Sequence, residues 1–118
     1  QAVATSSNKD TLETMIIHHR EWFSLFQTIV TGDDPEVSEG KPAPDIFLVA
    51  AKRLGFPPKN CLAFEDAPTG TQAANSAGMA VIAIPDSNMN HDLYPEADAI
   101  INSMEDFRPE TWGLPPFR

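Results

Sequence analysis

The chain has 118 residues, 42% of them hydrophobic, which suits one packed domain or part of one and excludes a disordered segment. Its formal net charge of −9 excludes the electrostatics of nucleic-acid and anionic-membrane binding, both of which need a basic patch. A single cysteine, Cys61, excludes an internal disulfide and fits a reducing, cytoplasmic compartment, and no apolar run reaches the ~18 residues of a membrane span.

Ala2 to Thr5 reads as a short buried strand. Ser6, Ser7 and Asn8 offer helix caps, and Asp10 to about Phe26 reads as a helix, with Leu12, Met15, Ile16, Trp22, Phe23 and Phe26 at helical spacing. Trp22, Phe23 and Phe26 are therefore expected in the core. Thr28 to Val30 is a strand that runs into the loop Gly32-Asp33-Asp34-Pro35, a solvated turn or the edge of a site. Pro44 sits at a favourable first-turn position, and Ile46, Phe47, Val49, Ala50 and Leu54 mark a helix closed by Gly55. Cys61 to Phe64 is a strand, with Cys61 a small core residue, and about Thr69 to Ala77 is a helix closed by Gly78. Met79 to Ile84 is continuously apolar, as in a parallel strand covered on both faces. Ala99 to Ile101 is a last short strand. The alternation β-α-β-α-β-α-β-β predicts an α/β fold with a doubly wound parallel sheet.

The chemistry concentrates at two places. Cys61-Leu62-Ala63-Phe64 ends in the paired carboxylates Glu65-Asp66, followed by Ala67-Pro68-Thr69-Gly70 and a helix. Strand, acids, turn and helix put carboxylates at the carboxyl edge of a sheet, where α/β proteins bind ligands. Such a pair suits a hard cation such as Mg²⁺, which takes oxygen ligands. Asp66 reads as a metal ligand or a cap for the following helix, and Glu65 as a ligand or the salt-bridge partner of Lys41. Gly70 allows a close backbone approach or a tight turn. Upstream, Gly40-Lys41-Pro42-Ala43-Pro44-Asp45 holds a lone Lys in a Pro-bracketed turn, with Asp45 as the expected helix cap. A fixed cation can offset repulsion between a phosphoryl group and an attacking carboxylate. Thr5 ends a strand before a helix, where a hydroxyl and nearby amides can hold phosphoryl oxygens, or the hydroxyl can serve as a cap. Ser6 would add its amide, and Asn8 and Lys9 are candidates for touching phosphate. His18, His19 and His91 have no partner at metal-ligand spacing and read as structural or solvated.

These residues resemble the haloacid dehalogenase-like superfamily of phosphohydrolases. Ala2-Val3-Ala4-Thr5 with Ser6-Ser7-Asn8 is similar to its second motif, Lys41 in G-K-P-x-P-D to its third, and Glu65-Asp66 with the following D-A-x-x-G to its fourth. The match runs from about Ala2 to Pro85. Phe23 to Phe26, Gly32 to Val37 and Trp112-Gly113-Leu114-Pro115 look most like the pseudouridine-5′-phosphatase group and the related glycerol and sugar phosphate phosphatases. The resemblance implies a Rossmann-like core, Mg²⁺ held by Asp66 and Glu65, catalytic roles for Lys41 and Thr5, and phosphate binding by Thr5, Ser6, Asn8 and Lys41. The implied substrate is a small phosphate monoester.

The family's first motif, D-x-D-x-T, which carries the nucleophile, does not occur in these 118 residues. The expectation is therefore that residues 1–118 form the carboxyl-terminal part of a longer enzyme. Nucleophile strand and substrate-selecting cap would lie upstream, and the sheet would be incomplete, leaving two half-sheets with facing edges. Alone, such a chain is expected to be inactive and poorly stable. A phosphosugar mutase, which shares the core, and a truncated product without activity are the alternatives; a receiver-like module also uses acids and a Lys but lacks the G-K-P-x-P-D context.

Overall fold

The computed structural model describes residues 1–117. The strands are β1 (Ala2–Ala4), β2 (Thr28–Val30), β3 (Leu62–Glu65), β4 (Ala80–Ala83) and β5 (Ala99–Ile100), and the helices are α1 (Lys9–Ile16), α2 (Arg20–Phe23), α3 (Asp45–Leu54) and α4 (Pro68–Ser76). All pairings are parallel. They form two small sheets rather than one: β1 pairs with β2, Val3 opposite Ile29, and β4 lies between β3 and β5, with Ala63 opposite Val81 and Ile82 opposite Ala99. The doubly wound sheet is thus incomplete. Among the described residues no ladder joins β1 to β3.

The two sheets are held together by helices. α3 packs on β1 and β2 and touches α4, which packs on β3 and β4. Its apolar face supplies Ile46, Phe47, Val49, Ala50 and Ala51, which meet Val30 from one sheet and Ala63 and Val81 from the other; Ala73, Ala74 and Ala77 line the facing side of α4. Small alanines there let α4 approach the sheet closely. Gly55 closes α3 at φ 84°, a left-handed conformation that favours glycine.

Several sequence expectations are corrected. The expected helix from Asp10 to Phe26 breaks after Ile16 and resumes for only one turn at Arg20, with His19 at φ −132° and ψ 23°. Ile16-Ile17-His18-His19 is a run of modest helix formers, and a single face buried at Leu12 does not carry the helix further. Trp22 is 67% exposed and stacks on His19 at 4.9 Å instead of entering the core. Phe23 and Phe26 are half-buried and touch each other. Cys61 lies outside β3 and is half-buried, because its N–H closes the preceding turn onto Pro58. Asp45 does not cap α3; its carboxylate reaches back to accept from the N–H groups of Ser38 and Glu39 at 3.1 and 3.0 Å.

The loop after β2 is tied to α3 by the Asp34 carboxylate, which accepts from both Arg53 terminal nitrogens at 2.8 and 2.9 Å. Those bonds, with one from the Glu36 N–H, hold the Asp34 carboxyl below its ordinary value.

Because α3 packs on one sheet and touches α4, which packs on the other, truncating its buried face should weaken the whole molecule. Ile46→Ala (2% exposed) is expected to lose about 2–5 kcal/mol in urea unfolding. Leu48→Ala, on the same helix but 42% exposed, is expected to stay within about 1 kcal/mol of the parent. Equal losses would contradict this placement of the core.

Candidate active site

A cleft of about 270 Å³ opens where the carboxyl ends of β1 and β3 come together, lined by Ala4 to Ser7, Lys41, Glu65 to Ala67 and Thr69. Parallel strands send their last residues to one edge, so Thr5, just after β1, and Glu65-Asp66, at the end of β3, arrive on the same side. Lys41 comes from the loop before α3, where its peptide bond to Pro42 is cis.

Lys41 sits between the sheets. Its Nζ donates to the Glu65 carboxylate at 3.1 and 3.2 Å and to the Ala4 carbonyl at 3.3 Å, and lies 5.2 Å from the centre of the Phe47 ring. The Lys41 and Glu65 side chains are each only 10% exposed. Burial pushes the Glu65 carboxyl above its ordinary value; the Lys41 charge and hydrogen bonds oppose this, and the adjacent Asp66 adds to it. Glu65 thus forms the salt bridge that was one of its two sequence readings.

Gly70 explains how that carboxylate fits. A Cβ at Gly70 would fall 1.6 Å from Glu65 Oε1, so the helix presents bare backbone to the side chain. Asp66 is exposed and lines the cleft without capping α4, whose first turn follows Ala67 with no side-chain cap. The main chain of Asp66 is fixed from a distance: the buried Tyr94 hydroxyl donates to its carbonyl at 2.6 Å. Burial, with Asp66 and Asp86 nearby, holds that phenol above its ordinary value, so it stays a donor.

The Thr5 N–H continues the β1–β2 ladder to the Val30 carbonyl at 3.0 Å, and its hydroxyl accepts from the Ser7 N–H at 3.2 Å. Ser6 is exposed at the cleft wall. Asn8 is placed differently: its side-chain oxygen caps α1 by accepting from the Thr11 N–H at 2.7 Å, and it does not line the cleft. The structure therefore brings Thr5, Ser6, Lys41, Glu65 and Asp66 together and sets Asn8 beside them as a helix cap. Sequence reasoning missed Tyr94, which carries no motif and lies 28 residues beyond Asp66. It passed over the lining residues Ser7 and Thr69, although Ser7 continues the hydroxyl run from Thr5.

The oxygen-rich edge suits a hard cation, and Asp66 is positioned to supply one ligand. Among the described residues no group of three His, Cys, Asp or Glu could hold a metal, and Glu65 is engaged by Lys41. The carboxylate oxygens present fit Mg²⁺ in kind, as hard ligands for a hard cation.

The family model for haloacid dehalogenase-like hydrolase matches residues 1–78. The chain belongs to that family. It is 52% identical over 118 residues to a Drosophila melanogaster protein named "Probable pseudouridine-5'-phosphatase", covering 98% of this chain and 51% of the relative. It is 48% identical over 119 residues to (DL)-glycerol-3-phosphatase 1, mitochondrial, of Arabidopsis thaliana, covering 98% of this chain and 40% of that protein. The crystal structure of a HAD hydrolase, family IA, variant 3, from Entamoeba histolytica superposes with a TM-score of 0.80 at 32% identity, over 94% of this chain and 50% of that one. The chain thus spans about half the length of the curated relatives it matches.

Gly70 gives a test of this geometry. Gly70→Ala is expected to dislodge Glu65 from Lys41 and lower stability by about 1 kcal/mol or more in urea unfolding. Gly40→Ala, whose added Cβ would meet nothing within 4 Å, is the control and should be nearly silent. A silent Gly70→Ala would mean that the carboxylate does not lie against α4.

Proposed function

We propose that this chain carries the phosphate- and metal-binding half of a Mg²⁺-dependent phosphatase of small phosphorylated metabolites, with pseudouridine 5′-phosphate and glycerol or sugar phosphates as the candidate substrates. The observation that carries the reading is the Lys41 ammonium, held between the end of β1 and Glu65 in the same cleft as Thr5 and Asp66. The named phosphatase relatives supply the substrate candidates.

In this reading residues 1–118 are the carboxyl-terminal part of the core domain. A segment of the same protein outside this chain provides the nucleophilic Asp, a second Asp, and a strand that fills the space between the edges of β1 and β3. A carboxylate oxygen of the first Asp attacks phosphorus, the P–O ester bond breaks, and the leaving alkoxide takes a proton from the second Asp. Water, deprotonated by that second Asp, then hydrolyses the aspartyl-phosphate and releases phosphate. Thr5 donates its hydroxyl, and Ser6 its amide, to the phosphoryl oxygens. Three acceptor oxygens already surround the Lys41 ammonium, which has three N–H donors, so an incoming phosphoryl oxygen takes the place of one of them. Lys41 then offsets charge between the attacking carboxylate and the phosphoryl group. Asp66, with Glu65 at its side, would hold Mg²⁺, which when bound supplies further charge neutralisation. Asn8 acts indirectly, by fixing the start of α1.

The test is steady-state turnover of the two candidate substrate types by the complete protein. Lys41→Met should lower kcat by roughly 10²-fold or more, and Lys41→Arg should restore only part of it, because a planar fork does not replace a point charge. Asp66→Ala should remove the Mg²⁺-dependent rate, while the 118-residue chain assayed alone should show no turnover. A Lys41→Met variant that kept half the parent rate, or an active isolated chain, would overturn the reading.

A further inference from the structure

The loop that follows β2 touches the Ser6–Ser7 wall of the cleft and leads into Lys41, without lining the cleft itself. On one side it grips the turn after β1. The Gly32 N–H donates to the Ser7 carbonyl at 2.9 Å, and the Lys9 N–H donates to Asp33 Oδ1 at 3.0 Å. A Cβ at Gly32 would lie 2.3 Å from the Ser6 carbonyl oxygen, so the Ser6–Ser7 peptide rests directly on the glycine backbone. On the other side the loop is tied to α3 by the paired Asp34–Arg53 bonds, and by a third from Arg53 to Glu36 at 3.0 Å. Its distal end is held by the Asp45 carboxylate on the Ser38 and Glu39 N–H groups, just before Gly40 and Lys41.

We propose that Gly32 and Asp33 are positioning residues for phosphate recognition: the loop from Gly32 to Glu39 is a brace that sets the Thr5–Ser7 turn relative to Lys41. The inference rests on the reading of that turn as the phosphate-binding wall. Its physical basis is that the turn and the Lys41 loop belong to different segments and need a common reference. Local hydrogen bonds within each segment do not provide one. α3 and this loop do, since Asp34 and Asp45 both fasten the loop to the helix that begins four residues after Lys41. Asp33 contributes through a charge-assisted bond at the start of α1, next to the Asn8 cap, and leaves the Lys41–Glu65 pair untouched. A geometric error of about 1 Å in such a constellation is enough to lower its efficiency steeply.

The experiment is calorimetric titration of the complete protein with inorganic phosphate at saturating Mg²⁺, with thermal unfolding recorded in parallel. The parent should bind phosphate. Asp33→Ala should weaken binding by about tenfold, while shifting the unfolding temperature no more than Glu110→Ala, a substitution at an exposed site that does not line the cleft. Asp33→Asn retains an acceptor oxygen and should recover most of the affinity. Gly32→Ala should weaken binding further, and if that variant does not fold, the Asp33 pair decides alone. A parent that binds no phosphate would overturn the reading of the cleft, and the inference with it. A parent that binds, with Asp33→Ala within twofold of it, would overturn the brace alone, as would equal losses in Asp33→Ala and Asp33→Asn.

Discussion

One buried ammonium organises this molecule. Lys41 links the end of β1, through the Ala4 carbonyl, to the end of β3, through Glu65. Burying a charge pair is expensive, and it is tolerated when the remaining hydrogen-bonding capacity is filled. Here each Glu65 oxygen accepts from Lys41, the third acceptor is main chain, and the Phe47 ring lies beneath the cation. The surroundings follow from that requirement. Gly70 makes room for the carboxylate, and the Pro-rich turn around Lys41 removes backbone freedom from the side chain's anchor.

The same interaction explains how chemistry can be concentrated in so small a fold. Two short parallel sheets would be weak as separate units, and the packing of α3 against α4 and the Lys41 contacts hold them together. Ligand-directed groups therefore lie at a seam rather than on one continuous sheet. Thr5 belongs to one side of the seam and Asp66 to the other, each fixed by a contact behind it: Val30 for the first, Tyr94 for the second. Family membership and this seam agree in kind. In the proposed complete enzyme, the space between β1 and β3 is where the nucleophile would enter.

Much of this was legible in the chain because its signals are local. From Gly32 onward Gly and Pro punctuate the elements: β4 lies between Gly78 and Pro85, Pro68 opens α4, and Gly55 marks the end of α3. The acid pair and the lone Lys stand out because strand ends and Pro-bracketed turns limit where such side chains can go. The segment from Asp10 to about Phe26 departs from a single helix because spacing alone cannot show that Ile16-Ile17-His18-His19 will not propagate one, nor that Trp22 stays exposed. Asp45 was misread because a carboxylate beside a helix start can turn toward the preceding loop as easily as toward the helix. Tyr94 is out of reach for a different reason: its partner is 28 residues away, and only tertiary structure brings the two together.

The most direct measurement is a crystal structure of the complete protein grown with Mg²⁺ and a tetrahedral phosphate mimic. The account predicts the anion between the Thr5 hydroxyl and the Lys41 ammonium, with the metal on the Asp66 carboxylate and Tyr94 still bonded to the Asp66 carbonyl. An anion bound away from Thr5 with Lys41 still closed on Glu65, or a metal held without Asp66, would contradict it.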